Sequence, residues 1–233
     1  MRKLSIALFL LLFPLFLLAQ DITVGGGPGI SFYQGDVSSD QALSFVDPNI
    51  GFSIFAKKQI STKWAVRVNG MITSIGGDDL KYGDINGSRL RRGYAFESSL
   101  KELVVRGEWN FIHGEEDVKS IHPFFAAGLG MIYTTTESQY RRSNGDPGEP
   151  LSSSDFAVTL PISIGITFDL PNQIIIGVEA TNGFVFSDNL DGLSDPISNG
   201  GNDGYNYVAV SFGYVFGDGR YKGLGRHRFG KEW

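Results

Sequence analysis

Hydrophobic and polar residues trade places at nearly every step along eight segments of this chain. The segments are expected at Thr23–Gln34, Asn49–Gln59, Lys63–Ser74, Leu100–Ile112, His122–Thr135, Phe156–Asp169, Gln173–Phe186 and Tyr205–Phe216. In the second, Ile50, Phe52, Ile54 and Ala56 fall on one side and Gly51, Ser53, Phe55 and Lys57 on the other. In the third, Trp64, Val66, Val68 and Ile72 oppose Arg67, Asn69 and Thr73. In the fourth, Leu103, Val105, Trp109 and Phe111 oppose Glu102, Arg106, Glu108 and Asn110. In the sixth, Val158 to Phe168 at every second position oppose Thr159, Ser163, Gly165 and Thr167. Successive side chains of a strand face opposite sides, so a period of two predicts strands with one apolar face. No helix template fits these runs.

The connectors have a rhythm of their own. Ile60–Thr62, His113–Ile121 and Leu170–Asn172 are short or moderate. Gly35–Pro48, Ile75–Ser99, Thr136–Asp155 and Ser187–Gly204 are long and rich in Gly, Ser, Asn and Asp. Tight turns at one end and longer loops at the other mark an antiparallel sheet closed on itself in an outer membrane. The chain therefore reads as all-β, an eight-stranded antiparallel transmembrane β-barrel of the small outer-membrane type. With the N-terminus in the periplasm, the four long loops fall outside. An even strand number returns the C-terminus to the periplasm.

A soluble sandwich or a lipocalin-like barrel would turn its apolar faces inward, and alternation alone does not say which face is in. The charges within strands weigh toward a polar interior. Arg67, Glu102, Arg106, Glu108 and Glu179 are expected to form a polar network across a narrow lumen, where opposite signs satisfy one another.

Composition adds an address. Arg2 and Lys3 precede an apolar run, Leu4 to Leu18, that ends at Ala19. The run is short for a spanning helix, and residues 1–20 read as a secretory signal peptide. The barrel is then expected over 21–217 and a tail over 218–233. Without the leader the chain holds 18 basic and 25 acidic residues, a net charge of −7. That balance argues against nucleic acid as a partner. There is no cysteine, so neither a disulfide nor a lipid anchor on cysteine is expected. The 31 glycines and 13% aromatics suit close backbone approach in a narrow barrel and rings at membrane interfaces.

Four stretches, Gly29-Ile30-Ser31-Phe32-Tyr33-Gln34-Gly35-Asp36, Arg89 to Phe111, Phe186 to Ser194 and Asn202 to Gly217, together resemble the PorG-like outer-membrane barrels of the type IX (Por) secretion system of Bacteroidetes. Gly29-Ile30-Ser31-Phe32-Tyr33-Gln34-Gly35-Asp36 resembles that family's first-strand motif. Arg89 to Phe111 resembles its long loop entering a strand, with Arg92, Phe96, Ser98, Glu102, Leu103, Glu108, Asn110 and Phe111 as its marks. Phe186 to Ser194 resembles an acidic fourth-loop motif, and Asn202-Asp203 with Tyr207 and Gly213–Gly217 a closing strand. The lack of a cysteine near the C-terminus departs from the family pattern. The resemblance implies a non-enzymatic component of the secretion machinery that contacts periplasmic translocon proteins and is not itself the conduit.

The remaining chemistry is sparse. His113, His122 and His227 all fall at or below the expected periplasmic rim, away from the outer leaflet where a lipid-modifying or proteolytic barrel would need a base. Asp78, Asp79 and Asp84, and Asp188, Asp191, Asp195 and Asp203, stand in long loops. They read either as calcium ligands, with Asp84-Ile85-Asn86-Gly87 a fragment of a calcium loop, or as solvated carboxylates, Asx-turns and bridges to lipid headgroups. No cofactor is expected. Arg220, Lys222, Arg226, Arg228 and Lys231, interleaved with Tyr221, Phe229 and Trp233, form a basic patch in an acidic protein. Lys57, Lys58 and Lys63 are expected at the same end. This surface reads as a docking site for periplasmic secretion-system proteins, or as a solvated tail or interfacial anchor. A general small barrel for adhesion or membrane stability, working through its outer loops, is the alternative reading. Beyond such partners, outer-membrane lipid is the expected surrounding.

Overall fold

The computed structural model describes residues 22–35, 47–61, 63–79, 93–111, 121–140, 149–187, 190–192 and 203–216. The expected signal peptide and tail lie outside the described residues. Eight strands follow one another: β1 Ile22–Gln34, β2 Asn49–Gln59, β3 Trp64–Asp78, β4 Tyr94–Asn110, β5 Ile121–Tyr140, β6 Leu151–Asp169, β7 Ile174–Val185 and β8 Gly204–Phe216. Each pairs antiparallel with the next, and β8 pairs with β1 from Ile22↔Phe216 to Gln34↔Gly204, closing the barrel. Both strand ends Ile22 and Phe216 therefore sit on one rim, the rim of the short turns.

The alternation resolves into inside and outside. On β2, Ser53, Phe55, Lys57 and Gln59 are buried while Ile50, Phe52 and Ile54 are exposed, Ile50 to 84%. The same holds on β3 and β4, where Val66, Val68, Leu103 and Val105 are exposed and Arg67, Asn69, Glu102 and Arg106 are buried. Apolar outside and polar inside inverts a soluble barrel and suits a wall in contact with lipid. Trp64 stacks on Trp109 at 6.3 Å near the turn rim, and Tyr133 packs on Phe156 at 4.6 Å near the loop rim. Such rings belong at membrane interfaces.

Two short turns explain themselves locally. Between β2 and β3, Ile60 and Ser61 N–H groups donate to the Trp64 carbonyl at 2.9 and 3.0 Å, and Ser61 Oγ accepts from Trp64 N–H. Between β6 and β7, Pro171 opens a single 3₁₀ turn and Asn172 takes a left-handed φ of 63°, a conformation that asparagine tolerates.

The strands are longer than the sequence pattern indicates on the loop side. β3 runs on to Asp78, β4 starts at Tyr94, β5 reaches Tyr140 and β6 starts at Leu151, so much of the expected loops Ile75–Ser99 and Thr136–Asp155 is strand. The reason is chemical. Thr135 pairs with Ser154, Thr136 with Ser153 and Glu137 with Ser152, so both faces there are polar and no apolar contrast marks the period. Serine and threonine side chains still suit cross-strand pairing. β3 to β6 span 15 to 20 residues against 11 to 13 for the other four, which leaves a one-sided wall rising above the loop rim.

Prolines mark two interruptions in the ladders. β1–β8 pairing skips Gly27 and Pro28, and β5–β6 pairing skips Gly128 and Leu129 opposite Pro161 and Leu160. A proline has no N–H to give, yet each keeps its place on its other neighbour, Pro28 against Phe52 and Pro161 against Gly183.

Glycines seat the large rings in the lumen. A Cβ on Gly183 would lie 2.2 Å from the Tyr205 ring, and one on Gly29 2.5 Å from the Tyr207 ring. Gly183→Val is expected to cost about 1–3 kcal/mol by displacing Tyr205. Urea unfolding of the barrel in micelles measures this, and an unchanged midpoint would contradict the packing.

Candidate functional site

Inward positions on five strands build a buried ion network at mid-barrel. Arg67 on β3 and Arg106 on β4 are direct register partners, so two like charges lie side by side. Glu179 reaches them from β7 across the lumen. Its Oε2 accepts from the Arg67 guanidinium at 2.6 Å and its Oε1 from Arg106 at 2.5 Å. Arg67 also donates to Asn69 Oδ1 at 3.1 Å and lies over the Phe55 ring, 4.1 Å from its centroid. Arg106 donates to Ser163 Oγ at 2.6 Å, and Thr181 links Ser163 to Glu179. Nearer the loop rim, Tyr205 Oη donates to Glu102. Nearer the turn rim, Lys57 Nζ donates to Glu108 Oε1 at 2.9 Å.

The five charged residues expected in the lumen, Arg67, Glu102, Arg106, Glu108 and Glu179, are thus brought together, and Lys57 joins them. That is a correction. Lys57 was expected with the basic surface at the periplasmic end, but it faces inward and is buried against Glu108. Lys58, the next residue, faces outward, as the alternation requires. Lys57, Arg67 and Arg106 thereby stand against Glu102, Glu108 and Glu179 in the lumen.

The network leaves almost no passage. Two cavities of about 10 and 20 Å³ flank it, and Arg67 and Glu179 line both. Each has room for about one water molecule. Arg106 Nε and Tyr207 Oη, on residues lining the larger one, have no protein partner and suit such a water. An eight-stranded barrel interior is filled by side chains, and this one is.

A second cluster closes the loop rim. Leu190, Asp191 and Gly192 return into the mouth. Leu190 is 1% exposed and packs in an apolar cluster with Tyr33, Ile75, Tyr94, Phe96, Leu100, Ile132 and Val185. Its carbonyl accepts from Ser98 Oγ at 2.5 Å and Thr136 Oγ1 at 3.0 Å, and the Asp191 carbonyl from Tyr94 Oη at 2.8 Å. Gly192, at φ +79°, allows the turn. Tyr33 Oη lies 2.8 Å from both Asp191 Oδ2 and Asp203 Oδ1, while Asp203 Oδ2 accepts from the Leu190 N–H at 3.0 Å. One tyrosine thereby ties the two ends of the last loop together.

These contacts correct the expectation of solvated carboxylates at three of the loop acids. Asp191 and Asp203 are buried acceptors of the mouth, and buried Asp79 accepts from the Tyr94 N–H at 3.0 Å. Asp84, Asp188 and Asp195 lie outside the described residues, as do His113, His227 and the tail residues Arg220, Lys222, Arg226, Arg228 and Lys231. His122 stands at the turn-rim start of β5, 3.1 Å from Asp169 Oδ2. The sequence reading missed the tyrosines. Tyr205 and Tyr207 share the β8 face of Ala209, Ser211 and Gly213, and large rings on a small-residue face, with Gly183 opposite Tyr205 and Gly29 under the Tyr207 ring, were the available signal.

Two substitutions test the geometry. Glu179→Gln leaves a pair of buried arginines without their carboxylate and is expected to cost roughly 3–5 kcal/mol. Tyr33→Phe removes the one hydroxyl that the buried Asp191 and Asp203 carboxylates share and is expected to cost about 1–3 kcal/mol. Hydrogen exchange of the Leu190–Gly192 amides should rise for Tyr33→Phe and leave the β2–β4 ladder protected. Denaturant unfolding reads the first, and unchanged midpoints would contradict the assignment.

Among curated proteins, none matches this chain. Among solved structures it is similar to the attachment invasion locus protein Ail of Yersinia pestis, at 10% identity over 84% of this chain and 99% of that one, with a TM-score of 0.48. It is similar to Neisserial surface protein A, at 10% identity over 84% and 97%, TM-score 0.49. A third is OprG, an outer-membrane protein of Pseudomonas aeruginosa, at 12% identity over 86% and 97%, TM-score 0.43. Small barrels carry unrelated activities, so the shape assigns none. The family model described as a domain of unknown function, DUF6089, matches residues 2–222, and the chain belongs to that family.

Proposed function

We propose that this outer-membrane barrel is a non-enzymatic component of the type IX protein secretion machinery, with both termini in the periplasm and contacts to periplasmic translocon proteins. The observation that carries the reading is a convergence. The four stretches that resemble PorG-like barrels meet at the mouth: Tyr33 from the first, Phe96 and Ser98 from the second, Leu190 and Asp191 from the third, and Asp203 and Tyr207 from the fourth. Residues scattered through the sequence thus form one packed unit, joined by hydrogen bonds among Tyr33, Ser98, Leu190, Asp191 and Asp203, which supports reading them as one motif. The filled lumen supports a role other than conduit, since no polypeptide passes cavities of about 10 and 20 Å³. Work is then done at the rims, and the basic tail beyond Phe216 is the segment assigned to partner contact.

A second reading has its own support. The wall of β3 to β6 above the loop rim suits a general barrel acting by adhesion or membrane stabilisation from outside. Deleting Gly219–Trp233 separates the two. Co-purification of periplasmic proteins from native membranes should be lost while the barrel stays heat-modifiable on gels. Undiminished co-purification would overturn the docking role. Loss of function on exchanging the β3–β4 and β5–β6 loops, with the tail variant intact in function, would favour the second reading.

A further inference from the structure

A lysine stands on the outer wall where its chemistry changes. Across β3, β4, β5 and β6, Ile72, Lys101, Tyr133 and Phe156 form one row, each in register with the next. The row toward the turn rim is apolar: Gly70, Leu103, Met131 and Val158. The row toward the loop rim is all hydroxyl: Ser74, Ser99, Thr135 and Ser154. These rows face outward, since the residues that alternate with them, such as Thr73, Leu100, Glu102, Ile132 and Thr134, are buried. Lys101 thus marks the border between the lipid-facing belt and the polar wall above it.

The lysine lacks an anion. It is exposed, and among the described residues no carboxylate forms an ion pair with it. Its ammonium lies 5.9 Å from the centroid of the Tyr133 ring, at the outer reach of a cation–π contact. Tyr133 in turn hydrogen-bonds to Ser154 and Thr135 in the row above. One cation and several hydroxyls therefore converge above Leu103, Met131 and Val158, which are exposed. A cation beside hydrocarbon is costly unless it is paired, and an ionisable side chain on a membrane wall points to a partner. One row above the hydroxyls, Glu97 and Glu137 are register partners and both exposed. Their charges repel any second anion there. The wall thus favours a single anion at the level of Lys101, with acids above it and apolar side chains below.

We propose that this face of β4, β5 and β6 binds the phosphate of a lipid in the leaflet on the loop side. The Lys101 ammonium pairs with the phosphate, the Ser99 and Thr135 hydroxyls donate to it, and the acyl chains lie on Leu103, Met131 and Val158. A neutral glycolipid would cover the apolar side chains and leave Lys101 unpaired. Free phosphate would pair with Lys101 and leave the apolar side chains bare. A phosphorylated lipid meets both needs. The proposal stands apart from the secretion role, because it concerns the membrane wall and not the tail.

Native mass spectrometry tests it on the full barrel in neutral detergent micelles, with EDTA present to remove divalent cations. Dioleoyl phosphatidic acid and digalactosyl diacylglycerol are offered in equal amounts. The wild type should retain the phosphate lipid in about fivefold preference, the effect of one lysine on an anionic lipid. Lys101→Gln should bring the preference close to parity, and Lys101→Arg should keep it. Glu137→Gln should raise it, because a repelling charge is gone. Lys58→Gln, an exposed lysine at the opposite border of the wall, should leave it unchanged. Heat-modifiability confirms that each variant is folded. No preference in the wild type, or equal loss in Lys58→Gln and Lys101→Gln, would overturn the proposal. So would displacement of the lipid by millimolar inorganic phosphate, which would make free phosphate the ligand.

Discussion

Two arginines stand side by side on neighbouring strands, and the barrel is built around the carboxylate that makes this tolerable. Arg67 and Arg106 are register partners on β3 and β4, where like charges repel. Glu179 comes from β7, three strands from β4 and on the other side of the lumen, and divides its two oxygens between them. The interaction forms only when the sheet has closed. It spans the barrel's diameter, so it ties the two halves of the wall together. It also occupies the space that a channel would need. Burial makes the arrangement demanding, because a charge out of water must be paired and hydrogen-bonded. Ser163, Thr181 and Asn69 supply further partners, and Lys57–Glu108 and Tyr205–Glu102 extend the polar filling toward the two rims.

The mouth repeats the same logic with neutral donors. Tyr33, Tyr94, Ser98 and Thr136 direct hydroxyls at the Leu190–Asp191 backbone and at the Asp191 and Asp203 carboxylates. Leu190 fills the apolar seat beneath. The last loop thus becomes part of the core. Polar network below and apolar cap above leave a molecule whose interior is committed to holding itself together, and whose contacts with other molecules fall to its rims and its outer wall.

Much of this was legible in the sequence, for a reason that also marks the limit. Ile50–Phe52–Ile54 against Ser53–Lys57, or Leu103–Val105 against Glu102–Arg106, show contrast between two faces, and contrast is what a period of two needs. Where Thr135-Thr136-Glu137 faces Ser154-Ser153-Ser152 the faces are alike, and real strand looks like loop. Lys57 reads as part of a basic end with Lys58 and Lys63, yet its own period places it on the polar face with Ser53 and Phe55, and that face is the lumen. Asp191 and Asp203 read as solvated because the group that buries them, Tyr33, is 158 and 170 residues away. Local pattern carries the wall, while the long-range partners of the mouth arise only on closure.

A sealed lumen leaves contacts with other molecules to the barrel's surfaces. Single-channel recording of the purified barrel in a planar bilayer addresses it most directly. A baseline without stepwise ion conductance across a wide voltage range is expected, given cavities of only about 10 and 20 Å³ on either side of Glu179. Reproducible conductance steps from the folded wild-type protein would contradict it.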